Sequence, residues 1–587
     1  MQTLKKFAPF VFLIFTVYLT TVWINFYYVS SYNVDFNKYY PYINNLSGIE
    51  DKIEYGQSSF YYFLILLFVK SRIDIITIEN FNVVLNNSIH IVNLSFYLIG
   101  LTGLFKLFKT YNFSSKNIIF SLSILSFFPQ SIYLRSVMKP EIVAFALLTW
   151  IFYFLNIYIK SKNINYLYIL IFPLSIVLNI KASIAGMITV YILIFYYKEI
   201  RNLGFKKILI VFLILLSVFS VLQFENFQIT NNLIFERAYE ENYDNTANPS
   251  ILFRVNIKQL FTEPFLKYDY GDLSYSVHAN SVLNITILDT FGDHFDQLFD
   301  SDLNYFARNR KQFIESSQSN AFNKDRVFEY SGPFNEQISN NINHLRKTLS
   351  AIFSFIFFAL IIYFSRSDKN NKKIYLAPTI GILVLYINSL GIPTNNYSPY
   401  KGDTFKAFYY SFFLLITFSF LICKLIQGNK STAVKFLIIA FFIPSVFFIA
   451  GHPKSNSQQF SSYIISSNDY SYFCEVNNLI FFDNDLIKAV HPSGNISNLK
   501  SNCKLTQGLD DYYFSSNIND HCFDENSTVK YSPDEENKNS DKCRVHYLKI
   551  VNYDNGFETK VPYFSFIFWL ITIALFFKPI RNLLNLN

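Results

Sequence analysis

The chain has 587 residues, 51% of them hydrophobic and only 16% charged, where a soluble protein of this size carries nearer a quarter charged. Its 67 Phe and 43 Tyr suit lipid-facing and interfacial positions, and the same figures exclude disordered, collagen-like and disulfide-knot classes. The formal charge of +8 suggests nucleic acid only until the basic residues are located, so the reading is an α-helical polytopic membrane protein.

A crossing helix needs roughly 20 mostly apolar residues. Runs of that kind fall near 7–28, 83–105, 117–134, 141–159, 165–180, 183–197, 208–224, 349–365, 374–390, 407–427, 434–450 and 563–579. They predict a bundle of about twelve spans. The apolar run at 58–69 is too short to cross and predicts a re-entrant or juxtamembrane helix. The first span has no small-residue cleavage site after it and reads as an uncleaved anchor.

Orientation follows Lys and Arg in the short loops. With both termini cytoplasmic, the inner segments 1–6, 106–116, 160–164, 198–207, 366–373, 424–435 and 578–587 hold twenty basic residues against two acids, Glu199 and Asp368. This asymmetry accounts for the positive charge, and no nucleic-acid partner is needed.

The chain then divides into an N-terminal transmembrane module, 1–224, with a long first outer loop at 29–82. An extracytoplasmic segment at 225–348 follows, then a second transmembrane module, 349–450. A Cys-containing extracytoplasmic segment, 451–562, precedes a last span and tail, 563–587. Cys474, Cys503, Cys522 and Cys543 lie in that segment, without a Cys-x-x-Cys pair. Two disulfides are favoured over zinc, with three pairings open. No P-loop, dinucleotide fingerprint, HExxH or Gly-x-Ser-x-Gly is present, so no ATP-driven transport is encoded in these motifs.

Several charged residues stand against the topological bias. Arg135, Lys139, Lys181, Lys401 and Lys406 fall in short outer connections, where cations can bind an anion at the outer leaflet. Snorkelling to lipid phosphate is the ordinary alternative for each. Asp35, early in the first outer loop, can serve as a general base if the fold buries it beside a hydroxyl, and a solvated loop carboxylate is the plainer reading. His90 lies within a span, where a packing hydrogen bond is the commoner role. Asp289, Asp293, His294 and Asp296 have a spacing that can surround a divalent cation, against the plainer reading of a hydrated loop; no cofactor is otherwise indicated.

Together these features resemble the GT-C glycosyltransferases, which include protein O-mannosyltransferases and bacterial aminoarabinose transferases. The resemblance rests on an anchor span, a long outer loop with an early Asp and a short juxtamembrane helix, then a bundle with basic outer hairpins. Locally, YINNLSGIEDKIEYGQSSFYYFLI at 42–65 resembles the approach to the juxtamembrane helix. FFPQSIYLRSVMKPEIVAFALLTW at 127–150 resembles the proline, arginine and acidic pattern of the second outer hairpin. LNIKASIAGMITVYIL at 178–193 is similar to a Lys-containing turn between spans. PYKGDTFKAFYYSFFLL at 399–415 and LDTFGDHFDQLF at 288–299 resemble segments of uncharacterised bacterial members. The likeness covers roughly 1–450, and VDFN around Asp35 stands where many relatives carry paired acids.

The resemblance implies an inverting transfer of a sugar from a polyprenyl-phosphate donor to an acceptor hydroxyl on a glycan, lipid or protein, on the outer face of what is read as a bacterial inner membrane. It assigns Asp35 as base. Lys181, with Arg135, Lys139 and Lys406, is assigned to the donor phosphate, and Glu141 to orienting a cation or contacting the sugar. Three rivals are an O-antigen polymerase or ligase acting on polyprenyl-diphosphate glycans, a lipid or glycan transporter, and a non-catalytic scaffold whose 451–562 segment binds partners.

Overall fold

The structure, a computed structural model, describes residues 2–27, 60–71, 81–230, 282–290, 336–390 and 411–428. It also describes short strands at 243–244, 394–395 and between 461 and 546, with isolated positions 257, 261 and 571. The N-terminal helices are α1 Gln2–Tyr27, α2 Phe60–Lys70, α3 Phe81–Lys109, α4 Ser115–Leu125 and α5 Pro129–Ser136. They continue with α6 Glu141–Ser161, α7 Ile164–Ile180, α8 Ala182–Arg201 and α9 Phe205–Thr230. Later come α10 Val282–Asp289, α11 Glu336–Ser367, the one-turn α12 Lys372–Tyr375, α13 Ala377–Leu390 and α14 Ser411–Gln427.

Among the described residues three helices are long and apolar enough to cross a membrane, in α3, α6 and α8, or five spans if each of two bent pairs counts as one. This establishes a helical membrane protein. It does not supply twelve crossings, and the runs at 434–450 and 563–579 lie outside the described residues apart from position 571. The run at 117–134 departs from a straight span: α4 and α5 meet at 66°. Pro129 opens α5 and has no N–H to carry on the α4 ladder, and Phe128 before it is extended at φ −64°, ψ 134°, as a residue preceding proline prefers. The runs at 349–365 and 374–390 also form a bent pair, turned by 112°. Helix α11 starts at Glu336, well before its apolar run, because hydropathy marks only the lipid-compatible part of a longer helix.

Helices α3 and α6 run in the same direction, side by side. Asn93 meets the backbone just before α6, Trp150 Nε1 donates to Ile99 O at 3.1 Å, and Asn156 Nδ2 donates to Thr110 Oγ1. Gly100 and Gly103 let the two approach closely. A Cβ at Gly103 would fall 2.9 Å from Thr149 Cβ, and one at Gly100 would fall 2.8 Å from Phe145 Cδ1, so only glycine fits this seam. Helix α14 is wrapped by protein along residues 412–423. Ser121 Oγ donates to Ser419 O at 2.7 Å, Thr417 Oγ1 donates to Ile374 O at 2.7 Å, and the Phe420 ring meets those of Phe108, Tyr111, Phe113 and Tyr375.

Among the described residues, connections expected inside meet at one end of the bundle. Lys160 Nζ donates to Thr110 O, Lys373 Nζ sits 3.8 Å from the Tyr196 ring centroid, and Lys424 pairs with Asp368 at 2.9 Å. These basic loops are thus gathered in space.

The Cys-containing segment carries strands: β3 Ser461–Ser466, β4 Tyr470–Val476, β5 Ile480–Asp483, β6 Leu486–Ala489, β7 Cys503–Gln507, β8 Phe514–Ser515, β9 Val529–Lys530 and β10 Arg544–His546. They form an antiparallel sheet ordered β10-β3-β4-β7-β8 and a smaller one ordered β5-β6-β9. Two-residue strands β1 Tyr243–Asp244 and β2 Thr394–Asn395 pair separately.

Candidate functional site

At the end of the bundle opposite the basic loops, α1, α2 and α3 converge on the turn that joins α5 to α6. Asn86, His90 and Asn93 recur at helical spacing in α3, placing these polar groups on one face of the helix. Asn93 Nδ2 donates to Val137 O at 2.7 Å and to Arg135 O at 3.2 Å, and its Oδ1 accepts from Tyr61 Oη at 2.8 Å. His90 Nε2 lies 3.2 Å from Ser136 O and Nδ1 lies 2.6 Å from Asn25 Oδ1. A carbonyl only accepts, so Nε2 carries a proton; a neutral ring then needs the Asn25 amide turned to donate to Nδ1. The carbonyls of Arg135, Ser136 and Val137, where the α5 ladder ends, are therefore met by the side chains of Asn93 and His90 from α3.

The four charged residues assigned to this end have different surroundings. Arg135 is 2% exposed and works inside the protein. Its Nε donates to Ser131 O at 3.0 Å, one terminal nitrogen to Thr20 Oγ1 at 2.8 Å and the other to Ser126 O at 2.8 Å, with the guanidinium 4.7 Å from the Tyr97 ring centroid. It braces α1 against the α4–α5 bend. Lys139 is buried, with Nζ 5.3 Å from the Tyr133 ring centroid. Lys181 closes α7 and stands before α8 in extended conformation, half-buried, at the same end of the bundle.

Glu141 is the most unusual of the four. It begins α6, is fully buried, and neither carboxylate oxygen has a hydrogen-bond partner among the described residues. The N-terminus of a helix favours a carboxylate through its free N–H groups and dipole, which offsets part of the cost of burying it. Gln130, at the start of α5, and Asn179, near the end of α7, are also buried with their amide groups unpartnered among the described residues. Each of the three carries acceptors or donors without a hydrogen-bond partner among the described residues, the kind of group that can meet a ligand hydroxyl.

Asp35, Lys401, Lys406, Asp293, His294 and Asp296 lie outside the described residues, and Asp289 ends α10 with its side chain undescribed. No group of three metal-ligating side chains occurs among the described residues. Tyr61, Asn93, Gln130 and Asn179 were not singled out by sequence reasoning. Polar side chains recurring inside apolar runs were the available signal.

No family model, no curated protein and no solved structure matches this chain. On its own architecture, the chain is a helical membrane protein with a buried, polar-lined turn between two of its helices.

Proposed function

We propose that the chain is an integral membrane glycosyltransferase that moves a sugar from a polyprenyl-phosphate donor to an acceptor hydroxyl at the extracytoplasmic face. In this reading about twelve spans cross a bacterial inner membrane, both termini face the cytoplasm, and the segment at 451–562 lies outside and is disulfide-bonded. The observation that carries it is Glu141, a fully buried carboxylate without a hydrogen-bond partner among the described residues, beside buried Lys139.

The chemistry asks for few groups. As the glycosidic bond breaks, charge grows on the departing phosphate, and a placed ammonium stabilises it; Lys181 has that role, with Lys139 and Lys406 supporting. Arg135 serves the same end indirectly, by bracing α1. A carboxylate takes the proton of the attacking hydroxyl, the role of Asp35, while Glu141 accepts from sugar hydroxyls. Holding donor and acceptor together supplies the entropic part of the acceleration. The direct test incubates the purified protein with a labelled polyprenyl-phosphate sugar and an extract of envelope glycans and lipids. Transfer that disappears in Asp35→Asn supports the reading; intact transfer in that variant removes Asp35 from the mechanism.

A second reading, carriage of a lipid-linked glycan across the bilayer, is favoured by the broken α4–α5 pair and the buried charges beside it, which are also features of transport paths. Movement of labelled lipid between leaflets of a proteoliposome without any transfer would select it.

A further inference from the structure

Four cysteines in one segment allow three sets of two disulfides, and the strand register distinguishes them. Strands β4 and β7 are antiparallel neighbours near the middle of the five-stranded sheet, and their register sets Cys474 directly opposite Cys503. Residues directly opposite in an antiparallel pair have Cα atoms about 4.5–5.5 Å apart, inside the window of about 4.4–6.8 Å that a disulfide spans. The other neighbour of β4 places Tyr463 opposite Cys474, so within this sheet Cys503 is the cysteine in register with it. We propose that Cys474 and Cys503 form a cross-strand disulfide, which leaves Cys522 and Cys543 to pair with each other.

The pairing rests on the reading that this segment faces an oxidising compartment. Bond formation joins the two Sγ atoms as each thiol gives up its proton. The two electrons pass to the disulfide of an oxidoreductase, which is left as two thiols. The bond would clip β4 to β7 and close a loop containing the β5–β6 hairpin, limiting how far the sheet can open. The fifth cysteine, Cys423, takes no part: it is buried in α14 with its thiol 3.7 Å from Asn117 O.

The test uses the full chain purified from its membrane. Free thiols are alkylated, the protein is digested without reduction, and the linked peptides are identified by mass. The expected result is a peptide pair joining Cys474 to Cys503. A link from Cys474 to Cys522 or Cys543, or alkylated Cys474 and Cys503, overturns the proposal. Cys474→Ser provides the second measurement: it should free one additional thiol, mapping to Cys503, whereas a new thiol at Cys522 or Cys543 refutes the pairing. Labelling of the reduced segment in intact cells by a membrane-impermeant maleimide separates the two assumptions. Free thiols on a segment labelled from outside defeat the pairing alone, while labelling only after permeabilisation defeats the orientation.

Discussion

Asn93 Nδ2 lies 2.7 Å from Val137 O, so an amide in α3 fixes the backbone at the residue that follows α5. Through Tyr61 the same side chain also reaches α2. One amide thus joins three segments that are distant in sequence.

Replacing Asn93 with Ala should lower stability by about 1–3 kcal/mol, since it removes a buried donor to Arg135 O and Val137 O and the acceptor of the Tyr61 hydroxyl. Tyr61→Phe, which strands only the Asn93 oxygen, should cost less. Thermal unfolding of both variants in the same detergent gives the ranking, and an equal loss would show that the clamp does not centre on Asn93.

Glu141→Gln removes a buried charge but keeps shape and hydrogen-bonding capacity. It should leave the melting temperature unchanged or raised, because neither carboxylate oxygen has a hydrogen-bond partner to lose among the described residues. Sugar transfer should fall about 10²-fold, as when one positioned group that contacts the reacting substrate is lost. A variant that loses stability and activity together would make Glu141 a structural residue.

At the α3–α6 seam, Gly103→Leu should destabilise by about 1–3 kcal/mol through overpacking against Thr149 and Trp150. Thr149→Ala in the same chain should recover part of the loss. Gly186, beside which a Cβ meets nothing within 4 Å, should accept Ala with little change and serves as the control.

The Asp368–Lys424 pair joins the loop after α11 to the last turn of α14. Burial pushes the Asp368 carboxyl up, but Asn371, Lys424 and Tyr375 together outweigh it and hold the group below its ordinary value. A carboxyl held low in the folded protein contributes stability at pH above its unfolded value, near 3.8, and that contribution fades as pH falls through the folded value. The melting temperature of Asp368→Asn should therefore be lower at neutral pH and should fall less steeply below about pH 4. Parallel acid limbs for the two proteins would show that the pair has no effect.

Hydropathy located α3, α6 and α8 because their apolar runs are long enough to cross, and it flagged α2 as too short. It passed over the bend at Pro129, since an average over a window carries no record of which residue lacks an N–H. Arg135 was legible as a cation against the topological bias, but a hydrogen-bond acceptor such as Thr20, more than a hundred residues away in the chain, cannot be found by spacing. The polar clamp was legible only as stray Asn and His residues in apolar helices, whose partners depend on the packing of α2 and α3 against the turn.

The α5–α6 turn also has a consequence for the chain that precedes it. Asn25, near the end of α1, reaches the turn through His90, and Tyr61, at the start of α2, reaches it through Asn93. The stretch from 28 to 59, which includes Asp35, therefore leaves and returns at one anchored place. Its end-to-end closure, which for a free segment grows with the logarithm of its length, is already met by the helices on either side.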